Sequence, residues 1–338
     1  MHDICFAVAG CGAIGAVHAQ AILSLPGAKL TAAFDVRPEA AEAFGRRFHC
    51  DAVTDYEALL ARRDVDAVVI CTPSGLHGSL AVQAARAGKH VVCEKPLDTD
   101  LDRANAMISV CRENHVTLFP ILQYRFDPAS AAVKHAIETG MLGKLFWGSA
   151  HVIWYRGDDY YNSGSWRGTA ALDGGVLMNQ AIHHLDLLLH FLGNPVSVRG
   201  KCTKLRGLEM EDVGIACVEF ENGALGSIEA TTDAKPGLYS EVSICGEHGS
   251  VILRNNRLLY SSVPDAPELD ALVDPTALYT ENKDARISPD GHRRQYADIV
   301  SALQDGHAPM VTAQDALCSL KTVLGIYKAS AEDKTVFL

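Results

Sequence analysis

"VAGCGAIG", residues 8–15, decides how the rest of the chain is read. Gly10, Gly12 and Gly15 stand at G-x-G-x-x-G spacing directly after "ICFAVA" (4–9), an apolar run that reads as a strand buried on both faces. Glycines in this order allow a tight turn. Backbone N–H groups, with Ala13 and Ile14 opening the next helix, can then approach a pyrophosphate at the helix's positive end. Taken alone, the motif is equally a glycine turn without ligand. Its context separates the two readings, because "AKLTAAFD" (28–35) is the next strand pattern and ends on Asp35, twenty residues past Gly15. A carboxylate there accepts from a ribose 2′-OH. Asp35 opposes a 2′-phosphate, so the cofactor loop Asp35–Val36–Arg37 is expected to take NAD rather than NADP; Arg37 is the residue that leaves room for NADP.

Outward from this motif the rhythm repeats. "VDAVVICTP" (65–73), "HVVCEKP" (90–96) and "VTLFPILQ" (116–123) read as strands, with helical stretches at 77–88 and 101–114 between them. Alternating β and α of this kind predicts an α/β doubly wound parallel sheet, the Rossmann arrangement, over 1–123. Beyond residue 124 the pattern changes. A helix is expected at 128–140, a strand at "KLFWGSAHVIWYR", and then strands separated by the turn signals "ENG" (221–223), "GEHGS" (246–250) and "NN" (255–256). Residues 124–338 are therefore expected to form an α+β domain with a large, mainly antiparallel sheet. Residues 263–290, rich in Pro and Asp, read as a long loop, and two helices at 291–305 and 312–330 complete the chain. Val213, Ile215 and Cys217 alternate with Ala216, Val218 and Phe220, which makes both faces of one strand apolar. The face away from the domain's helix needs a cover, and a second subunit supplies one, so a homodimer or homotetramer is expected.

Composition excludes several classes. The 338 residues are 48% hydrophobic and 21% charged, as in a globular protein with room for two domains. A net charge of −11 argues against nucleic acid and anionic membrane as partners, and leaves a small anionic substrate open. "MHDICFAVAG" lacks a basic leader region, and no apolar run is long enough to span a bilayer. Ten cysteines occur without a CxxC pair, several inside apolar strand runs, which fits reduced thiols and a cytoplasmic location.

"GGVLMNQAIHHLDLLLH" (174–190) poses a second question. At about 100° per residue Asn179, His183, Asp186 and His190 share a sector roughly 60° wide on an otherwise apolar helix. A polar stripe must face water, a polar partner or a ligand, because burying it unpaired costs a few kcal/mol. Alongside a complete dinucleotide fingerprint, the expectation is a ligand-facing stripe at Asn179 and His183. Asp186 would orient His183, and His184 and His190 would be structural. A metal site from His183, Asp186 and His190 is the competing chemistry; no supporting Cys or His stands at a suitable interval, and none is expected.

"VAGCGAIG", "CTPSGLH" (71–77), "EKP" (94–96) and "GGVLMNQAIHHLD" together resemble the glucose–fructose oxidoreductase / inositol dehydrogenase / MocA family of NAD(P)-dependent sugar dehydrogenases, over essentially the whole chain. The resemblance implies that Lys95 lies between nicotinamide and substrate and that His183 is the acid/base. It also places Cys71, Thr72, Pro73, His77, Glu94 and Gln123 at the cofactor, with Trp166 and Arg167 reaching it from the second domain. Asn179 departs from the commoner Asp four residues before the His. "MNQ", "YYNSGSWRGT" (160–169) and "TTDAKPG" (231–237) are similar to the branch of nucleotide-sugar 3-dehydrogenases acting on UDP-linked amino-sugar uronates.

Oxidising a secondary alcohol needs a hydride acceptor and a base. His183, with an unperturbed pKa near 6.5, suits the base. Lys95 would donate to the reacting oxygen, and confinement could make it the base instead. Arg125 could hold a carboxylate or phosphate, or pair with Asp127 or Glu138. Tyr155 could bond a sugar hydroxyl, and Trp166 could equally be packing in a loop. The function expected is an NAD-dependent dehydrogenase of a sugar, cyclitol or nucleotide sugar. An NADPH-dependent keto-sugar reductase and a non-catalytic dinucleotide-binding regulator are the alternatives.

Overall fold

Ile4–Ala9 (β1) runs through the middle of a six-stranded parallel sheet and carries the fingerprint at its carboxyl end. The structure, a computed structural model, describes residues 2–279 and 289–338. After β1 come α1 (Ala13–Leu23), β2 (Ala28–Phe34), α2 (Pro38–Phe48), β3 (Asp51–Val53), α3 (Tyr56–Leu60) and β4 (Ala67–Ile70). Then follow α4 (His77–Arg86), β5 (His90–Cys93), α5 (Leu101–Glu113) and β6 (Leu118–Pro120). The strand order is β3-β2-β1-β4-β5-β6, in which the direction of winding reverses between β1 and β4. Open α/β sheets bind their ligands at such a reversal, beyond the carboxyl ends of the strands. β1 is apolar throughout because both of its faces are covered: Phe6 and Val8 join Leu30, Phe44, Val69, Val92 and Phe119 in one core. The short elements β3 and α3 had no counterpart in the sequence reading; three residues of strand are too few for a periodic signal.

The chain divides into two compact units, with the change at 123/124. Sequence assigned everything beyond 124 to the second unit. In the structure the helix α10 (Pro289–Asp305) belongs to the first, since its Tyr296, Ile299 and Val300 enter the same core as Phe6 and Val8.

The second unit contains α6 (Pro128–Glu138), β7 (Leu145–Ile153), α7 (Asp158–Tyr161), α8 (Ile182–Leu192), β8 (Pro195–Thr203), β9 (Val213–Phe220), β10 (Leu225–Thr231) and β11 (Tyr239–Gly246). It continues with β12 (Gly249–Arg254), β13 (Arg257–Ser261), α9 (Pro267–Asp270), α11 (Ala313–Glu332), part of which lies in this unit, and β14 (Val336–Phe337). Its eight strands are ordered β13-β12-β11-β7-β10-β9-β8-β14; only β7 and β10 pair in parallel. α8 packs on one face so closely that a Cβ added at Gly148 would lie 3.0 Å from Leu188 and Leu192. The other face leaves Trp147 40%, Ile215 53% and Leu225 57% exposed. Part of the expected loop 263–290 holds short helices, α9 and Pro275–Tyr279, and residues 280–288 of it lie outside the described residues. None of the ten cysteines is in a disulfide. Among the described residues no helix is long and apolar enough to cross a membrane.

The stretch 174–190 is not one α-helix. Val176–Ala181 is a π-helical turn, and α-helix begins only at Ile182. The wider turn changes the angular spacing, so the 60° sector calculated at 100° per residue does not describe Asn179. Its start also needs glycine: Gly174 has φ +84°, and a Cβ at Gly175 would collide with the Glu211 carboxyl.

Candidate active site

The fingerprint turn fits a dinucleotide on steric grounds. Gly10 adopts φ +110°, and a Cβ there would lie 2.5 Å from the Cys71 carbonyl oxygen; a Cβ at Gly15 would lie 2.1 Å from the Gly10 carbonyl. At Gly12 nothing stands within 4 Å, which is the open side a pyrophosphate requires. Ala13 and Ile14 start α1 as expected. Asp35 is buried at the end of β2 and accepts from the Cys11 N–H (3.1 Å) and the Arg37 N–H (3.0 Å), with the Arg37 guanidinium at 3.2 Å. Burial works to raise this carboxyl, but these hydrogen bonds outweigh it and hold the pKa below the ordinary value. Val36 beside it is exposed. Two buried polar atoms on the expected cofactor residues, Thr72 Oγ1 and Gln123 Oε1, have no hydrogen-bond partner. Buried orphans are rare, and these two lie beyond the carboxyl ends of β4 and β6, the edge where an open α/β sheet takes its ligands.

Two of the expected cofactor residues have side chains bonded within the unit. His77 is fully buried with Nδ1 2.8 Å from the Pro96 carbonyl and Nε2 2.9 Å from the Thr72 carbonyl, so its ring ties the end of β4 to the turn after Lys95. Glu94 is likewise committed within the unit. Its Oε1 lies 2.8 Å from His18 Nε2 and 3.4 Å from His292 Nε2, and its Oε2 accepts from the Lys95 N–H at 3.0 Å. Tyr296 meets His18 Nδ1 at 2.8 Å. Burial lowers the His18 pKa, so the ring is neutral, its Nε2–H donating to Glu94 while Nδ1 accepts from the tyrosine. Burial would raise Glu94, but the two histidines hold it well below the usual carboxylate range. Among the described residues this is the one trio with metal-type donors close together. Hydrogen bonds already account for its geometry, and the alternative set His183, Asp186 and His190 does not gather. Sequence did not single out His18, His292 or Tyr296, although His18 follows Gly15 by three residues, one turn along α1.

In the second unit, His183 is buried at the start of α8 with the Tyr124 ring 4.6 Å away and tilted 31°. His184 is buried between the edges of Tyr124 and Trp154, and burial pushes it down to about 3, so it stays neutral. Asn179 donates its side-chain N–H to Asp173, whose other oxygen accepts from the Gly168 N–H at 2.7 Å. The carboxylate that the resemblance places at position 179 is thus supplied from position 173. Asp186 receives a two-pronged pair from Arg125, at 2.8 and 2.7 Å, and a hydroxyl from Ser319 at 3.0 Å. Arg125 is therefore committed to Asp186, 61 positions on. The structure thus gives this buried guanidinium a carboxylate partner within the chain, which competes with the substrate anion it was expected to hold.

Two further guanidiniums of this unit share one aromatic ring. Arg156 and Arg167 lie over the Tyr160 ring, 5.4 and 4.1 Å from its centre. Arg156 also covers Trp154 and donates to Gln180 Oε1 at 3.3 Å, while its buried Nε has no partner. Burial lowers the Arg156 pKa. Arg167 donates to the Tyr160 oxygen (2.6 Å) and to Ser163 (2.8 Å) and stacks on Trp166. Gln180 Nε2 donates to the same tyrosine oxygen at 2.7 Å. Among the described residues neither guanidinium has a carboxylate partner. A small pocket is lined by Tyr160, Asp173, Gly175, Asn179, Gln180 and Glu211. Tyr155 has Arg206 and Lys235 over its ring, at 5.4 and 5.3 Å. Arg206, unlike Arg156, is matched by Asp158 and Asp233. The aromatic run "WYRGDDYYNSGSWR" was a signal of this cluster, but only Tyr155, Trp166 and Arg167 were read from it.

Comparison with known proteins places this geometry. The family model described as oxidoreductase family, NAD-binding Rossmann fold matches residues 4–121, and that of the GFO/IDH/MocA C-terminal domain matches residues 130–252. The crystal structure of the WlbA dehydrogenase from Bordetella pertussis in complex with NADH and UDP-GlcNAcA superimposes with a TM-score of 0.93 at 32% identity, covering 100% of this chain and 98% of that one. The corresponding protein from Chromobacterium violaceum, also with NADH and UDP-GlcNAcA, gives 0.90 at 28% identity, covering 100% and 96%. The inositol 2-dehydrogenase of Rhizobium meliloti (strain 1021) is 32% identical over 263 residues, 75% of this chain and 76% of its own.

Proposed function

The chain belongs to the GFO/IDH/MocA family of NAD-dependent oxidoreductases acting on CH–OH groups, and on that premise we propose that its substrate is an anionic sugar, a nucleotide-linked amino-sugar uronate oxidised at C3. The observation that carries this reading is the pair Arg156 and Arg167, two guanidiniums on one tyrosine with no carboxylate partner among the described residues. Two like charges held together and partly desolvated call for an anion. A uronate carboxylate supplies one, and a neutral cyclitol does not. That both WlbA dehydrogenases were crystallised with UDP-GlcNAcA supports the same class.

NAD, when bound, accepts the hydride; the glycine turn, Asp35, Thr72 and Gln123 are the residues that would hold it. What remains for the protein is the proton and the charge on oxygen. His183, its ring set against Tyr124, takes the proton of the reacting hydroxyl. Asn179, anchored by Asp173, presents its amide to a sugar hydroxyl. Lys95 donates to the reacting oxygen and stabilises the developing alkoxide. Glu94, clamped by two histidines, fixes the backbone from which Lys95 projects. Arg156 and Arg167 take the carboxylate.

A panel of UDP-GlcNAcA, UDP-GlcNAc, myo-inositol and levoglucosan, each with NAD and with NADP and scored by NADH or NADPH absorbance, tests the reading. Turnover of the uronate with NAD is the expected result. Preferential oxidation of a neutral cyclitol refutes the anionic substrate, and dinucleotide binding without any turnover favours a regulator. We further propose a homodimer or homotetramer in a reducing cytoplasm, assembled on the sheet face that exposes Trp147, Ile215 and Leu225. Light scattering should show the oligomer, and Leu225→Glu should shift it to monomer.

A further inference from the structure

Glu211, in the loop before β9, is 5% exposed. Its backbone carbonyl accepts from the Val176 N–H at 2.9 Å. Its Oε1 accepts from the Leu177 N–H at 2.9 Å and from the Tyr327 hydroxyl at 2.9 Å. Oε2 is buried without a hydrogen-bond partner and lies against Gly175, where an added Cβ would come within 1.8 Å of it. One acidic residue therefore grips three consecutive positions, 175 to 177, at the start of the π-helical turn. Asn179 follows two residues later, and His183 one turn beyond.

We propose that Glu211 is a positioning residue: as a neutral acid it clamps the start of the π-helical turn and so sets where Asn179 and His183 are presented, and its ionisation releases the clamp. The proposal rests on the reading that Asn179 and His183 serve the substrate. The reason for release is local. A charged Oε2 pressed on a glycine Cα with no donor costs a few kcal/mol and is relieved by moving toward water. The groups facing Glu211 do not neutralise it. Tyr327 of α11 and Cys202 of β8 are both held protonated by burial, and Asp212, next in the chain, opposes a second negative charge. Burial accordingly pushes the Glu211 carboxyl up to about 7.

Hydrogen–deuterium exchange of peptides covering 174–183 tests the clamp without substrate. At about pH 6, Glu211→Ala should exchange about tenfold faster there than the unmodified protein, and Glu211→Gln should match it. Near pH 8.5 the unmodified protein should loosen relative to Glu211→Gln; Tyr327→Phe should lie between. Equal exchange in Glu211→Ala, or the same pH response in Glu211→Gln, overturns the clamp whatever the substrate is. The link to the site is tested by turnover of UDP-GlcNAcA with NAD. Glu211→Ala should raise KM about tenfold with a smaller fall in kcat, and Gln should rescue it and extend activity to higher pH. Unchanged KM, in an enzyme that His183→Ala inactivates, overturns that link. No turnover by the unmodified protein refutes the functional reading instead, and the exchange result then decides the clamp alone.

Discussion

Glu94 in the first unit and the Arg156–Arg167 pair in the second both put charge where water is scarce, but they are completed differently. Glu94 is enclosed by its own chain: His18, His292 and the Lys95 N–H meet its two oxygens, and Asp98 nearby in sequence is matched by Arg103 at 2.6 Å. Arg156 and Arg167 share a tyrosine ring and, among the described residues, find only neutral partners, Gln180, Ser163 and the tyrosine oxygen. A charge whose partners are all within the chain has a structural account. A charge set left incomplete points to something the chain binds. Arg125 shows the distinction inside one unit, because it looked like an anion site in sequence and turned out to be complete.

The largest effects should come from the groups assigned to chemistry. Lys95→Ala and His183→Ala should each lower kcat about 10²–10⁴-fold, the usual contribution of general acid/base groups, with NAD affinity unchanged in a fluorescence titration. Normal turnover in either variant removes that residue from the mechanism.

The next pair sharpens the comparison directly. Arg125→Ala strips a bidentate partner from Asp186, 1% exposed, and should cost roughly 3–5 kcal/mol of unfolding free energy in urea titration. Arg156→Gln should leave stability nearly unchanged and raise KM for a uronate about 10–100-fold, or about 1.4–2.7 kcal/mol. If Arg156→Gln destabilises the fold as Arg125→Ala does, the incomplete pair is structural after all. If Arg167→Gln raises KM for NAD rather than for the sugar, that residue serves the cofactor, as the family resemblance implied.

Glu211 offers a pH test of similar size. Its folded-state pKa lies above the unfolded value of 4.5, at about 7, so folding favours the protonated form. That contribution is fully present below 4.5 and is lost as pH rises through about 7. Over this window the unmodified protein should lose about 3 kcal/mol relative to Glu211→Gln, as measured by denaturation at a series of pH values. The smallest effect concerns Asp35. NAD should bind about tenfold tighter than NADP, about 1.4 kcal/mol, and Asp35→Ser should narrow or invert the ratio. Arg37, already bonded to Asp35, limits how large that preference can be.

Signals carried by neighbours in sequence were legible. The G-x-G-x-x-G turn, Asp35 at the end of β2, and the alternation of strands and helices led to the parallel sheet and its cofactor edge because each depends on a few consecutive residues. Pairings made by folding were not. Asp186 reaches Arg125 across 61 positions, whereas sequence offered only the nearer Asp127 and Glu138. His292 joins Glu94 from a helix assigned to the other domain, and Asp173 supplies to Asn179 a carboxylate that a single aligned position would have missed. The π-helical turn was hidden for the same reason: at its start Gly175 meets Glu211, 36 residues on. No local periodicity records that contact.

The central claim is that an anion completes the Arg156–Arg167 pair. Its most direct test is the ratio of kcat/KM for UDP-GlcNAcA to that for UDP-GlcNAc, which lacks the uronate carboxylate, with NAD, in the unmodified protein and in Arg156→Gln. The account predicts a ratio of about ten or more that falls toward one in the variant, as expected when a buried cation loses its matched anion. A ratio near one in the unmodified protein, or a high ratio that survives Arg156→Gln, would contradict it.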